Sequence, residues 1–361
     1  MSIERHSRAR QIDLGQSLVG RHKIYLDACF WIAVRDVALG VRVDPAACKL
    51  LYYLRRGVSN GTLVCPISAA MFLELMKQRY SLGRRIGTAQ IIDELSLGVA
   101  MVPTHIVMET EIHGFLSRYS GGADLHPVQE LIWTKVAYVL GNTYPSLAQL
   151  CPADELDLQK SFFDHLWSHS LIGIVKTIGD NFLEVDGYDK LSCETNEENG
   201  KRKVELRSFA RTYDIELRGI VEIAGEIAAD VMNEMTQNQT GHETSPSPEQ
   251  RAGIVNMCRN LLYHAFKKPE VKDALRCIDI GASIHASMRW DKSRLFKPND
   301  FYDFEHAIAA LSYCDAFLTE GPLHDLVTRP HVNLEAVNGC RVFSNIDAGA
   351  DYVRQLSAPV E

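Results

Sequence analysis

No Cys-x-x-Cys occurs in these 361 residues, and the nine cysteines are scattered and odd in number. A zinc ribbon, a thioredoxin-type redox pair and a disulfide framework therefore lose support. No uninterrupted apolar run approaches the roughly 18 residues of a membrane helix. The charged opening Met-Ser-Ile-Glu-Arg-His-Ser-Arg-Ala-Arg has no apolar stretch behind it of the kind that leads a secreted chain. A reduced, cytoplasmic protein with no membrane partner is the expectation. There is no Gly-x-x-x-x-Gly-Lys-Ser/Thr and no Gly-x-Gly-x-x-Gly, so nucleotide-binding enzymes are unsupported. An excess of basic charge is missing too. Lys and Arg number 38 against 46 Asp and Glu, a formal charge of -8, which disfavours a simple basic nucleic-acid binder but leaves room for a local patch. What is present, 46% hydrophobic and 23% charged residues, is the composition of a soluble folded chain. Its length suits two or three domains, or one with a large insertion.

The order of the elements narrows this. Lys23-Ile-Tyr-Leu26 is a short β-prone run ending at Asp27, and Leu50, Leu51 and Leu54 mark a helix over 44–57. Thr62-Leu-Val-Cys65 reads as a second strand, Ser68 as the N-cap of a helix through Leu75, and residues 97–102 as a third buried strand. From about 105 to 290 the pattern turns helical. Val128, Ile132, Val136 and Leu140 space a helix, Ile220 to Met235 another, and further helices are expected at 251–266 and about 270–288. The polar runs 189–203 and 236–250 read as exposed loops. After 298 a small-residue helix (His306 to Tyr313) is followed by strands at 315–319 and 340–344 and a last helix from Asp347. The fold class expected is α/β, a mainly parallel sheet flanked by helices with a large helical insertion. The α/β domain is discontinuous, 20–104 plus 298–356, with 105–297 inserted and 1–19 an N-terminal extension.

In a parallel sheet, active groups collect beyond the carboxyl ends of the strands. Asp27 ends the first strand, Glu74 lies two helical turns after the second, Asp300 and Asp303 open a helix, and Glu320 ends the strand that follows. Clustered carboxylates repel unless cations share them, and Mg²⁺ or Mn²⁺ takes oxygen ligands of this kind. Three segments carry a resemblance: Ile24-Tyr-Leu-Asp27-Ala-Cys-Phe-Trp-Ile, Pro66-Ile-Ser-Ala-Ala-Met-Phe-Leu-Glu74, and Asn299-Asp-Phe-Tyr-Asp303 through Thr319-Glu320. Together they resemble the motif blocks of PIN-domain nucleases, over about 140 residues with the helical block outside. The resemblance implies a PIN-like fold with Asp27, Glu74, Asp303 and Glu320 as catalytic and metal-holding acids and Asp300 as a further candidate ligand. Glu320 departs from the usual Asp by one methylene. Thr319 would support the site by orienting a water at the ion, or simply close its strand.

The resemblance further implies metal-dependent phosphodiester hydrolysis, most often of RNA, by an endoribonuclease whose carboxylates position ions. Met288-Arg-Trp-Asp-Lys-Ser-Arg-Leu-Phe-Lys297 offers Arg289, Lys292, Arg294 and Lys297 to a single-stranded RNA substrate, with Trp290 and Phe296 to stack on bases. Its plain alternative is a helix end followed by a solvated loop. His306 is expected to pack. Cys29 fits a small buried residue better than a nucleophile, and Asp27-Ala-Cys29 lacks the second Asp of a dehalogenase-type phosphatase. His165 and His169 lack the Glu of His-Glu-x-x-His. The rival function is a PIN-like scaffold of weak or no activity that binds RNA or a protein partner. The inserted helices offer a surface for such a partner or for a second copy.

Overall fold

The computed structural model describes residues 2–78, 82–119, 126–147, 149–180, 187–241 and 246–358. The architecture is α/β, 69% helical, with helices flanking a parallel sheet of four strands. Helix α1 (Ile3–Ser17) precedes β1 (His22–Leu26), which leads into α2 (Ala28–Ala38) and α3 (Pro45–Ser59). Then come β2 (Leu63–Val64), α4 (Ala69–Lys77), α5 (Leu82–Ser96) and β3 (Val99–Met101). The middle of the chain holds α6 (Thr104–Tyr119), α7 (Val128–Leu131), β4 (Trp133–Lys135), α8 (Pro152–Trp167) and α9 (Leu171–Ile178). It continues as α10 (Asp189–Lys201), α11 (Phe209–Thr240), α12 (Pro248–Ala265), α13 (Pro269–Ala274) and α14 (Arg276–Trp290). The last part is α15 (Asp300–Tyr313), β5 (Ala316–Leu318), α16 (Gly321–Thr328), α17 (Leu334–Asn338), β6 (Arg341–Phe343) and α18 (Ile346–Leu356).

The sheet runs β2-β1-β5-β6, so its two central strands come from opposite ends of the sequence. Ile24 pairs with Ala316, Tyr25 with Phe317 and Leu26 with Leu318, all parallel. Pleating sends alternate residues to opposite faces. Ile24, Leu26, Ala316 and Leu318 meet one core with α2, α3, α5 and α18. Tyr25 and Phe317 meet the other, beneath α14 and α15. Each such large apolar side chain contributes about 1.5–3 kcal/mol on burial. A third core joins α6, α11, α12 and α14 within the helical segment. No described helix is long and apolar enough to cross a membrane.

Three local expectations fail, and one expected strand takes an unforeseen partner. Residues 99–101 form the buried strand expected, but it pairs antiparallel with β4, and an Ile67–Ala100 bridge links it to the segment after β2. The helix expected over 128–140 is therefore short: α7 stops at Leu131, and Trp133-Thr134-Lys135 is drawn into pairing with β3. Residues 189–201, expected as a loop, are helix α10. It lacks an apolar stripe, and Asn196 fastens it by exchanging two hydrogen bonds with the backbone of Phe296 (2.8 and 2.9 Å). The expected loop over 236–250 is cut at both ends, since α11 runs to Thr240 and Ser247 caps α12 in a reciprocal capping box with Gln250. Residues 242–245 of that run lie outside the described residues. Helix α1 packs on α7, β4 and α8, and Gly15 permits the close approach: a Cβ there would lie 2.1 Å from the Glu130 carbonyl oxygen.

Candidate functional site

Parallel pairing of β1 with β5 puts their carboxyl ends side by side. Asp27 follows β1 and caps α2, its Oδ1 accepting from the Cys29 and Phe30 amides (3.1 and 3.4 Å). Its Oδ2 accepts from the Glu320 amide at 3.1 Å, a link between residues from the two ends of the chain. Glu320 itself follows β5 at the start of α16, and its side chain is exposed. Thr319 before it is fully buried, and its hydroxyl has no hydrogen-bond partner among the described residues. Asp315, at the other end of β5, accepts from the Lys23 amide (2.7 Å) and has a structural role.

Glu74 comes from α4, whose N-cap is Ser68. Asp300 and Asp303 lie in the first turn of α15, where carboxylates favour the helix dipole. Asp303 Oδ1 accepts from Asn299 Nδ2 (3.2 Å), and Asp300 Oδ2 from the Lys297 amide (2.7 Å). The small residues Ala307, Ala309 and Ala310 let α15 lie close to its neighbours. Two residues assigned to packing or passed over by sequence reasoning join this group. Buried His306 approaches Glu74 Oε2 through Nε2 (3.0 Å) and Tyr25 through Nδ1 (2.6 Å), and Tyr25 in turn meets Ser68 (2.5 Å). Their signal was positional. Tyr25 shares the strand face of Asp27, and His306 lies one helical turn beyond Asp303.

The acids act on one another. Burial, followed by the charge of Glu320, pushes the Asp303 carboxyl up to about 7; His306 opposes this, while Glu74 and Asp27 add to it. Glu320 is raised by burial and then by Asp27, Glu74 and Asp300, with Lys297 opposing. Burial alone would lower His306, but the hydrogen bond and charge of Glu74, helped by Asp27 and Asp303, leave it raised. Asp27, Glu74, Asp303 and Glu320 thus share one electrostatic field. As their side chains stand, no three His, Cys, Asp or Glu among the described residues are close enough to hold one ion. Cys29 is an exposed residue, contrary to expectation, yet local burial and Asp27 push its thiol pKa far up and keep it protonated.

A cleft of about 650 Å³ opens against this group, lined by Asp300, Asp303 and Glu320 together with Arg294, Lys297 and Asn299. Asp27 and Glu74 are not among its lining residues. The basic segment divides in two. Arg294 and Lys297 reach the cleft, whereas Arg289 is paired with Glu216 and hydrogen-bonded to Asn199 (2.6 Å), which fixes α14 to α11 and α10. Lys292 is exposed and donates to the Arg289 carbonyl (2.9 Å). Phe296 is buried among Phe301, Phe304 and His285, and half-buried Trp290 rests against His331 and Phe209, so both rings pack within the protein. Comparison of the chain with protein-family models, with curated proteins and with solved structures yields no match in any of the three.

Proposed function

We propose that this chain is a PIN-like, metal-dependent phosphodiesterase that cuts RNA, with Asp27, Glu74, Asp303 and Glu320 as its acids and Asp300 at the rim. The observation that carries the reading is the convergence of acids from four separate segments, where burial together with the charges of Glu320, Glu74 and Asp27 raises Asp303 to about 7, beside a cleft that Arg294 and Lys297 also line. Carboxylates held together at such a cost are relieved by a cation, and hard oxygen donors suit Mg²⁺ or Mn²⁺. The Glu320 side chain has no hydrogen bond or ion pair among the described residues, so it is free to turn toward the other three. An ion bound there supplies Lewis-acid activation of water and neutralises charge at a scissile phosphate. Arg294 and Lys297 take phosphate oxygens within the same cleft and hold the strand by the acids. Without a ring platform in the basic segment, substrate grip rests on phosphate contacts more than on base stacking.

With Mn²⁺, the purified protein is expected to cleave single-stranded RNA, and Asp27→Asn to lose at least ~100-fold in rate. Equal cleavage by the variant would assign the activity to a contaminant. A second reading, a PIN-like scaffold that binds RNA or a protein without cutting, draws on the internal hydrogen bonds that already engage Asp27 through both oxygens and Glu74 and Asp303 through one each. It predicts RNA binding without cleavage at any metal concentration.

A further inference from the structure

We infer that Ser68, Tyr25 and His306 are positioning residues, a buried hydrogen-bonded relay that aims the Glu74 carboxylate for the metal-dependent site; the inference rests on that reading of the site. The four side chains come from the N-cap of α4, from β1, from α15 and from α4 itself. Tyr25 is fully buried and His306 is 1% exposed. Burying a phenol and an imidazole is unfavourable unless every polar atom finds a partner. Here each does, and the line of bonds ends on one of the site's acids.

The hydrogens have a consistent direction. Ser68 Oγ accepts from the Met71 amide (3.5 Å), which leaves its own proton for Tyr25. Tyr25 donates to His306 Nδ1, and His306 Nε2–H donates to Glu74 Oε2. If the imidazole takes a second proton, the Tyr25 and Ser68 bonds reverse, but Nε2–H still faces Glu74. The opposite neutral tautomer would set a lone pair against a carboxylate. One oxygen of Glu74 is therefore anchored in either charge state. The other, Oε1, has no hydrogen-bond partner among the described residues. Carboxylates that ligate an ion are themselves held by outer hydrogen bonds, and losing such support weakens metal affinity by about 10–100-fold.

The test is Mn²⁺ affinity of the full chain, measured by calorimetry for wild type, Tyr25→Phe, His306→Ala, His306→Gln and the pair Tyr25→Phe with His306→Ala. Tyr25→Phe and His306→Ala should each raise the Mn²⁺ dissociation constant by ~10-fold or more. The double variant should be no worse than His306→Ala alone, because both break the same line. His306→Gln, whose amide can still donate to Glu74, should recover part of the loss. If Tyr25→Phe does not fold, the His306→Gln and His306→Ala pair decides the matter. Variants with lowered melting temperature but wild-type Mn²⁺ affinity would overturn the relay and leave the metal site standing. A wild type that does not bind Mn²⁺ would overturn the metal-dependent reading and the relay with it.

Discussion

Asp303→Asn removes one charge from the acid group while keeping its shape, and the structure sets both the sign and the size of the response. In the metal-free protein the Asp303 carboxyl titrates near 7, against 3.8 for a free Asp. A carboxyl whose folded pKa is raised binds its proton more tightly in the folded state. Its stabilising protonation is complete below about 4 and is lost as pH climbs through about 7. Three pH units at about 1.4 kcal/mol each is roughly 4 kcal/mol, to be reduced to about 2–3 because the site opens on a solvated cleft. Asp303→Asn should therefore match wild type at pH 4 and exceed it by that amount at pH 8, in urea melts with chelator present. Adding Mn²⁺ inverts the comparison. Wild type should gain up to ~2.7 kcal/mol at a hundredfold excess over the dissociation constant, and the variant should lose most of that gain. An Asp303→Asn protein no more stable than wild type at pH 8 would refute a charged Asp303 held at a cost by burial and its neighbouring acids. An absence of any Mn²⁺ effect on wild type at millimolar concentration would favour the scaffold.

Other expectations follow from the same geometry. Arg294→Ala with Lys297→Ala should weaken RNA binding and flatten its salt dependence by about 0.7 per lost contact to a single strand. Arg289→Ala should instead cost about 2–3 kcal/mol of stability, because it strands the largely buried Glu216 carboxylate, and should leave the salt slope unchanged. Glu111, buried beneath Tyr313 and the Cys277 amide, is pushed by burial to about 7, so wild-type stability should fall between pH 5 and 8 by roughly 2–3 kcal/mol on its account. Glu111→Gln should flatten that fall in a pH series of denaturant melts. Gly15→Ala would drive a methyl group into the Glu130 backbone and should cost about 1–3 kcal/mol, read from the midpoint of urea unfolding.

Local pattern alone was enough to locate the elements that carry the acids. The apolar run before Asp27, the Ser68 cap and the small-residue helix after Asp303 each report burial or capping within a few residues, and each stands where it was expected. Alternation along β1 also determines that Tyr25 and Asp27 share a face. What joins distant segments was not legible. Nothing near Trp133 announces that β3 will claim it, since an i, i+4 spacing of buried residues suits a helix until a strand partner arrives. Helix α10 has no stripe to reveal it and holds to the molecule by three hydrogen bonds of Asn196 and Asn199, which depend on residues far along the chain. Arg289 looks in sequence like any other cation of its basic run; only the approach of α11 brings Glu216 to it. His306 looks like a packing residue until β1 and α4 put Tyr25 and Glu74 on its two nitrogens. Hydrogen bonds and ion pairs between remote residues leave no local period, and they arise only once the sheet has placed β1 beside β5.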